Sequence, residues 1–358
     1  MTEPVYRRTE PWLGTLVTIE VVGHSAGPTQ QASPGESSLA AAVANAFDWF
    51  REIEDRCSRF DPHSELSLLS ATVGVEVSVS PILYQTVQFA LAVAAESGGA
   101  FDPTVGATME TRGFDRNYRT GQRVLSASAR QRGSANYRDV RLNPARRTIT
   151  LLRPLLLDLG AVAKGLAMDM AARELRPFSN FSINAGGDVY LAGHNRYGER
   201  WSVGIRHPRI PGALIDSLRV SECAVCTSGD YERRLPEAKS EPAVAAEASA
   251  AGDPGGHHIL DPRAGRSPQA TASATVIAPT AMLADALATA AFVLGPCDGI
   301  ALLERLNVNG LIISPGLSRH TTRGMRSDFE PSSATVLPDA QGLDANRPGG
   351  AGSVGRAI

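Results

Sequence analysis

The chain has 358 residues, 43% of them hydrophobic and 20% charged, with 35 Lys and Arg against 37 Asp and Glu for a net charge of −2. That length supports a core without disulfide or metal staples, and the near-neutral balance argues against a dedicated nucleic-acid binder. The start MTEPVYRRTEPW has no apolar run behind a basic stretch, no run of about 18 apolar residues follows, and the four cysteines are too few for a disulfide scaffold; the expectation is a cytoplasmic protein with no export signal and no membrane span.

Thr15 to Val22 alternates and predicts a strand, and Leu39 to Cys57 carries apolar residues at helical spacing. Pro81 opens a helix to about Glu96, which Ser97-Gly98-Gly99 ends. Thr148 to Leu157 reads as a strand and Gly160 to Leu175 as a helix. Short strands follow at Phe181 to Ile183 and Val189 to Ala192, then at Trp201 to Arg206 and Arg219 to Cys226. Pro279 to Leu294 reads as a strong amphipathic helix, although nearly all its positions are Ala, Leu, Met or Phe, and Gly310 to Ser314 as a last strand. Strands and helices mix without strict βαβ alternation, so the fold class is α+β in one compact unit. Three Gly-, Pro-, Ala- or Ser-rich segments lack a core-forming pattern: insertions at 24–38 and 236–256, and a disordered tail at 330–358. That leaves an N-terminal extension over 1–10 and a catalytic domain over 11–329.

Small residues joined to charged ones gather at element boundaries, where binding and catalytic groups tend to sit. Asp285 and Thr289 are four apart on one helix, so they share a face. Two hard oxygen donors suit Mg²⁺; alternatively Thr289 bonds its own backbone turn and Asp285 faces solvent. Asp158 ends a strand and Lys164 lies in the first turn of the next helix. Backbone N–H groups with a lysine hold phosphate, whereas a plain reading makes Asp158 a helix cap. The two glycines of the NAGGD run at 184–188 permit close backbone approach or form a tight turn between strands, and the TSGDYER run at 227–233 offers hydroxyls and an acid or is a strand-ending turn. His258 precedes Ile259-Leu260-Asp261 and offers a general base or an exposed loop residue. Cys223 and Cys226 have C-x-x-C spacing inside a strand, without a second pair, so a zinc site is not expected.

Taken in order, these stretches resemble the FAD:protein FMN transferase family, also known as the ApbE family. The landmarks are WLGT at 12–15, SRFDPHSELSLLS at 58–70, GAFDPTVG at 99–106 and DLGAVAKGLAMD at 158–169. They continue with INAGGDVYLAG at 183–193, TSGDYER at 227–233, HILDPRAGRSP at 258–268 and TVIAPTAMLADALATAAFVLG at 275–295.

The resemblance implies a single T-fold-like catalytic unit and a Mg²⁺-dependent enzyme that splits FAD. FMN would pass to a Ser or Thr hydroxyl of an acceptor flavoprotein, a covalent protein flavinylation, with release of AMP. Metal ligands fall on Asp285, Thr289 and the backbone carbonyl of Ala161; some relatives have a further acid where this chain has Ala288. Flavin-contacting positions fall on Leu13, Phe60, Ala100, Phe101, Asp102, Asp158, Lys164 and Ile259. Phe60 stands for a tyrosine of some relatives, and Leu13 where methionine is common. The catalytic histidine falls on His258, with His257 an extra neighbour. Lys164 and the glycine-rich backbone would stabilise charge on the phosphates. Two rival readings share these residues: an FAD pyrophosphatase giving FMN and AMP, and a flavin-binding or assembly protein without turnover.

Overall fold

Two residues make the first turn of the chain. Trp12 pairs with Thr15 across it, so Leu13 and Gly14 form the whole loop, with φ of 51° and 79°. Two positive φ values are the hairpin turn whose twist suits its flanking strands. The turn joins β1 (Val5–Trp12) to β2 (Thr15–Val22). Most of the expected N-terminal extension is therefore an edge strand. Its VYRRTEPW sequence is half exposed and charge-bearing, which suits an edge and hides the strand period. This computed structural model describes residues 2–23, 34–124, 135–234 and 256–327. The insertion expected at 236–256, apart from Gly256, and the tail expected at 330–358 lie outside the described residues.

The first helix, α1 (Pro34–Cys57), starts before Leu39, so the loop expected over 24–38 gives way at Pro34; residues 24–33 are not described. Next come α2 (Glu65–Ser70), β3 (Val77–Ser78), α3 (Pro81–Glu96) and α4 (Gly106–Thr111). α3 has the predicted bounds because Ser80 accepts the N–H of Leu83, Pro81 fills the first turn, and Gly98 and Gly99 take positive φ at its end. β4 (Val140–Asn143) and β5 (Thr148–Leu151) follow. The strand expected through Leu157 thus stops at Leu151. Pro154 has no ladder N–H to give, and Leu155, Leu156 and Leu157 are buried as core without being strand.

The rest of the chain runs α5 (Gly160–Glu174), β6 (Phe181–Ala185), β7 (Asp188–Ala192), β8 (Trp201–Arg206), β9 (Leu214–Val220) and β10 (Cys223–Gly229). β11 (Ser273–Ala278), α6 (Ala281–Arg305), β12 (Asn309–Ile313) and β13 (Arg319–Thr321) complete it. The single strand expected over Arg219 to Cys226 is two, broken at Glu222, whose φ is 54°. There the chain leaves one sheet and enters another. α6 kinks at Gly295, one residue past the predicted end at Leu294, and then continues to Arg305 past Pro296; Ala284 to Ala288 and Ala290 to Val293 are buried in succession, so it is a core helix and not the amphipathic one expected.

Eight antiparallel strands form the main sheet in the order β1-β2-β6-β7-β10-β11-β12-β13. Alternation along β10 shows its two faces. Ala224 and Cys226 join the main core with α1, α3, α5 and α6, while Cys223 and Val225 face a second cluster with Ile205 and Leu218 of the β8–β9 arm. The two cysteines of the C-x-x-C run therefore lie on opposite faces. α6 has the length and hydropathy of a bilayer-crossing helix, yet it packs against α5, β10, β11 and β12 inside the core.

The contact between α5 and α6 positions the site. A Cβ on Gly165 would lie 2.5 Å from both Cα and N of Met282, so only glycine admits this approach. One turn on, Asp169 accepts the N–H groups of Ala281 and Met282 at 2.7 and 3.0 Å and caps α6 from its neighbour. Gly165→Ala is expected to cost about 1–3 kcal/mol by overpacking and to lower the thermal midpoint. Calorimetry showing a parental melt would contradict the close approach.

Candidate active site

A cleft of about 1320 Å³ opens beside these elements. Each of the residues expected to act as base, flavin contact or metal ligand lines it, although they come from six separate stretches of chain. That volume exceeds the usual range for a small-ligand pocket and suits a dinucleotide.

At one end, the β1–β2 turn presents Leu13, and the α1–α2 connection presents Phe60. Behind Phe60 lies Arg59, its guanidinium carbon 4.1 Å from the ring centroid. Arg59 Nε donates to Asp158 at 2.6 Å and Nη2 to the carbonyl of Phe114 at 2.6 Å. Asp158 also accepts the N–H of Gly160 at 2.8 Å, a local turn two residues long; the N-cap of α5 is Leu159, which makes no side-chain cap, so Asp158 lines the cleft without being the cap residue. Burial alone would raise its carboxyl, but Arg59 and the Gly160 N–H outweigh that and hold it below the usual range. Ala100, Phe101 and Asp102 are buried in the loop before α4. Asp102 accepts from Thr104 N–H and hydroxyl and from Tyr137 N–H, so its carboxylate shapes this wall. Arg59 is absent from the residues picked out of the sequence; its signal is its place beside Phe60 in the SRFDP run.

At the other end sit Ala161, Lys164, Asp285 and Thr289. Ala161 lies in the first turn of α5, and Asp285 and Thr289 share a face of α6. Asp285 is only 7% exposed, which removes the solvent-facing alternative. Its Oδ2 is buried with Lys164 Nζ, 2.8 Å away in an ion pair, as its close polar partner. Thr289 donates to its own turn, to the carbonyl of Asp285 at 3.3 Å, and shares a hydrogen bond with Ser228 at 3.2 Å. A buried carboxylate beside a hydroxyl is a hard-oxygen donor set, and it fits Mg²⁺, which takes one or two carboxylates and fills its shell from phosphate and water. Among the described residues no cluster of three or more His, Cys, Asp or Glu offers a rival metal site.

Lys164 lines the cleft, but its charge is already engaged by protein carboxylates. Its ammonium is held by the carboxylates of Asp188 and Asp285. Burial works to lower it, but the two carboxylates prevail and raise it. Asp188 belongs to the NAGGD run and was not among the expected site residues. The run is indeed a tight turn, since Ala185 pairs with Asp188 across Gly186 and Gly187, both at positive φ. The turn also delivers Asp188 to the site.

His258 lines the same cleft. Its Nδ1 is 3.2 Å from the carbonyl of Glu232. A carbonyl only accepts, so Nδ1 carries the proton and Nε2 keeps a lone pair. Burial first, and then Arg233, lower His258 to about 4. The folded value lies below the ordinary 6.5. The imidazole therefore stays neutral as pH falls from 6.5, and over the window down to about 4 the native state loses stability because the unfolded chain binds the proton more readily. An NMR titration of this ring is expected to give a midpoint near 4; a midpoint at 6.5 would contradict its burial. His257 is different: it is buried edge-on against Phe292, centroids 5.3 Å apart, with Nδ1 accepting the Ile259 N–H at 3.3 Å. That bond fixes the loop that presents His258 and Ile259.

A neutral imidazole, a hard-oxygen cation locus and a dinucleotide-sized cleft are the parts that phosphoryl transfer uses. The chain belongs to the ApbE family: the family model matches residues 13–312. It is 32% identical over 335 residues to the FAD:protein FMN transferase of Treponema pallidum (strain Nichols), covering 87% of this chain and 84% of the relative. It is 31% identical over 335 residues to the FAD:protein FMN transferase of Rhodobacter capsulatus, covering 88% of this chain and 57% of that relative. The crystal structure of the ApbE protein of Thermotoga maritima superposes with a TM-score of 0.74 at 28% identity, covering 91% of this chain and 99% of that one.

Proposed function

We propose that the protein transfers the FMN half of FAD to a Ser or Thr hydroxyl of an acceptor flavoprotein, in a Mg²⁺-dependent reaction that releases AMP. One observation carries the reading: a neutral imidazole with a free Nε2 and a buried carboxylate line the same dinucleotide-sized cleft. The relatives named FAD:protein FMN transferase support FAD as the dinucleotide.

The flavin lies among Leu13, Phe60, Ala100, Phe101, Asp102 and Ile259, with Arg59 and Asp158 bracing that wall. His258 Nε2 takes the proton of the acceptor hydroxyl. That oxygen bonds to the phosphorus of the FMN half. The bond from this phosphorus to the bridging oxygen breaks, and AMP leaves with that oxygen. The Glu232 carbonyl keeps Nδ1–H aligned throughout and favours the imidazolium that forms. Arg233 lines the cleft, and its positive charge reaches both His258 and Asp158. It adds fixed positive charge beside the phosphates. Asp285, Thr289 and the Ala161 carbonyl would hold Mg²⁺, which supplies positive charge to the pyrophosphate and its leaving group.

The test is incubation with FAD, Mg²⁺ and a purified acceptor flavoprotein. The proposal expects AMP in equal amount to flavin fluorescence that survives denaturation of the acceptor. Free FMN and AMP without bound flavin would replace transfer by hydrolysis, and intact FAD would replace it by binding without turnover.

A further inference from the structure

We infer that Asp188 is a positioning residue that sets the charge of the cation locus: by holding Lys164, it keeps that ammonium from neutralising Asp285. The inference rests on the reading of Asp285 and Thr289 as a divalent-cation locus.

Three charges meet here, two carboxylates and one ammonium. Asp188 is 7% exposed, as is Asp285, so water screens neither well. Both oxygens of Asp188 are committed. Oδ2 pairs with Lys164 Nζ, and Oδ1 accepts the N–H of Thr227 at 2.8 Å. That second bond ties Asp188 to β10, two residues beyond the last paired position of β7 on that strand. Lys164 itself is fixed by the glycine contact that follows it on α5. The ammonium is thus held from two sides, and Asp285 meets it as an ion pair at Oδ2.

The trio carries a net charge of −1. A divalent cation at Asp285 meets an attractive locus only while Asp188 offsets Lys164. Without the Asp188 charge, Lys164 and Asp285 would cancel and the locus would be neutral. The NAGGD turn therefore acts at a distance on cation binding, through Lys164, without Asp188 being a ligand.

The inference is tested by titrating the full-length protein with Mn²⁺ alone, followed by electron paramagnetic resonance, with a thermal melt for each variant. Asp188→Asn keeps an oxygen for the Thr227 N–H and removes the charge. Its Mn²⁺ affinity is expected to fall about tenfold or more. Adding Lys164→Met restores a net charge of −1, and the double variant is expected to recover to within about threefold of the parent. A double variant as weak as Asp188→Asn, with both folded, would make Asp188 a purely structural residue and overturn the inference. Parental affinity in Asp188→Asn would overturn it as well. Asp285→Ala is the separating control: unchanged Mn²⁺ binding there would overturn the locus itself, and the inference with it.

Discussion

Replacing His258 with glycine is expected to abolish FMN transfer while FAD binding survives. The ring is the group in the cleft placed to accept a proton at neutral pH. Its Nδ1 is occupied by the Glu232 carbonyl, its Nε2 is free, and burial keeps it neutral. General-base catalysis of this kind contributes about 10²–10⁴-fold, so the loss is expected in that range. The wall proposed to face the flavin is built by other cleft residues, among them Leu13, Phe60 and Ile259, so the dissociation constant of FAD is expected to change little. Added imidazole is expected to restore part of the rate in the glycine variant. Transfer at the parental rate would remove His258 from the mechanism.

Asp285→Ala carries the second large effect. It removes the one buried carboxylate on the cleft face of α6, where Ala288 offers no second acid beside Thr289. Losing one partner of a desolvated ion pair also leaves Lys164 with Asp188 alone, which takes the locus from −1 to neutral. Stimulation of transfer by Mg²⁺ is expected to disappear, and activity to fall at least about 10²-fold. The test is the rate across a Mg²⁺ titration at fixed FAD. A variant that still responds to Mg²⁺ at parental concentration would refute the ligand.

Much of this site is legible in the sequence because each piece is local. The strand that starts at Thr15, the helix that starts after Asp158, and the i, i+4 pair Asp285 and Thr289 are all set by neighbours within a few residues. α3 is read closely because its signals, Pro81 at the start and Ser97-Gly98-Gly99 at the end, are local; the Ser80 cap adds to them in the structure. What is not legible depends on distant partners. Lys164 reads as a phosphate holder because nothing near it in sequence reveals that Asp188 and Asp285 close on it. Asp188 reads as a turn residue for the same reason. His257 and His258 are adjacent and chemically alike; the family resemblance separates them, and the physical reason, the packing of His257 against Phe292, is visible only in the fold. The strand β1 is hidden by its exposed, charged edge, and the break at Glu222 by β-forming residues on both sides.

The most direct measurement is the intact mass of an acceptor flavoprotein after incubation with FAD, Mg²⁺ and the parental chain, the His258→Gly variant or the Asp285→Ala variant. The account predicts a gain of one FMN less one water with the parental chain, mapped by peptide fragmentation to a Ser or Thr, and no gain with either variant. An acceptor left at its original mass while FAD is consumed, or modified equally by all three, would contradict it.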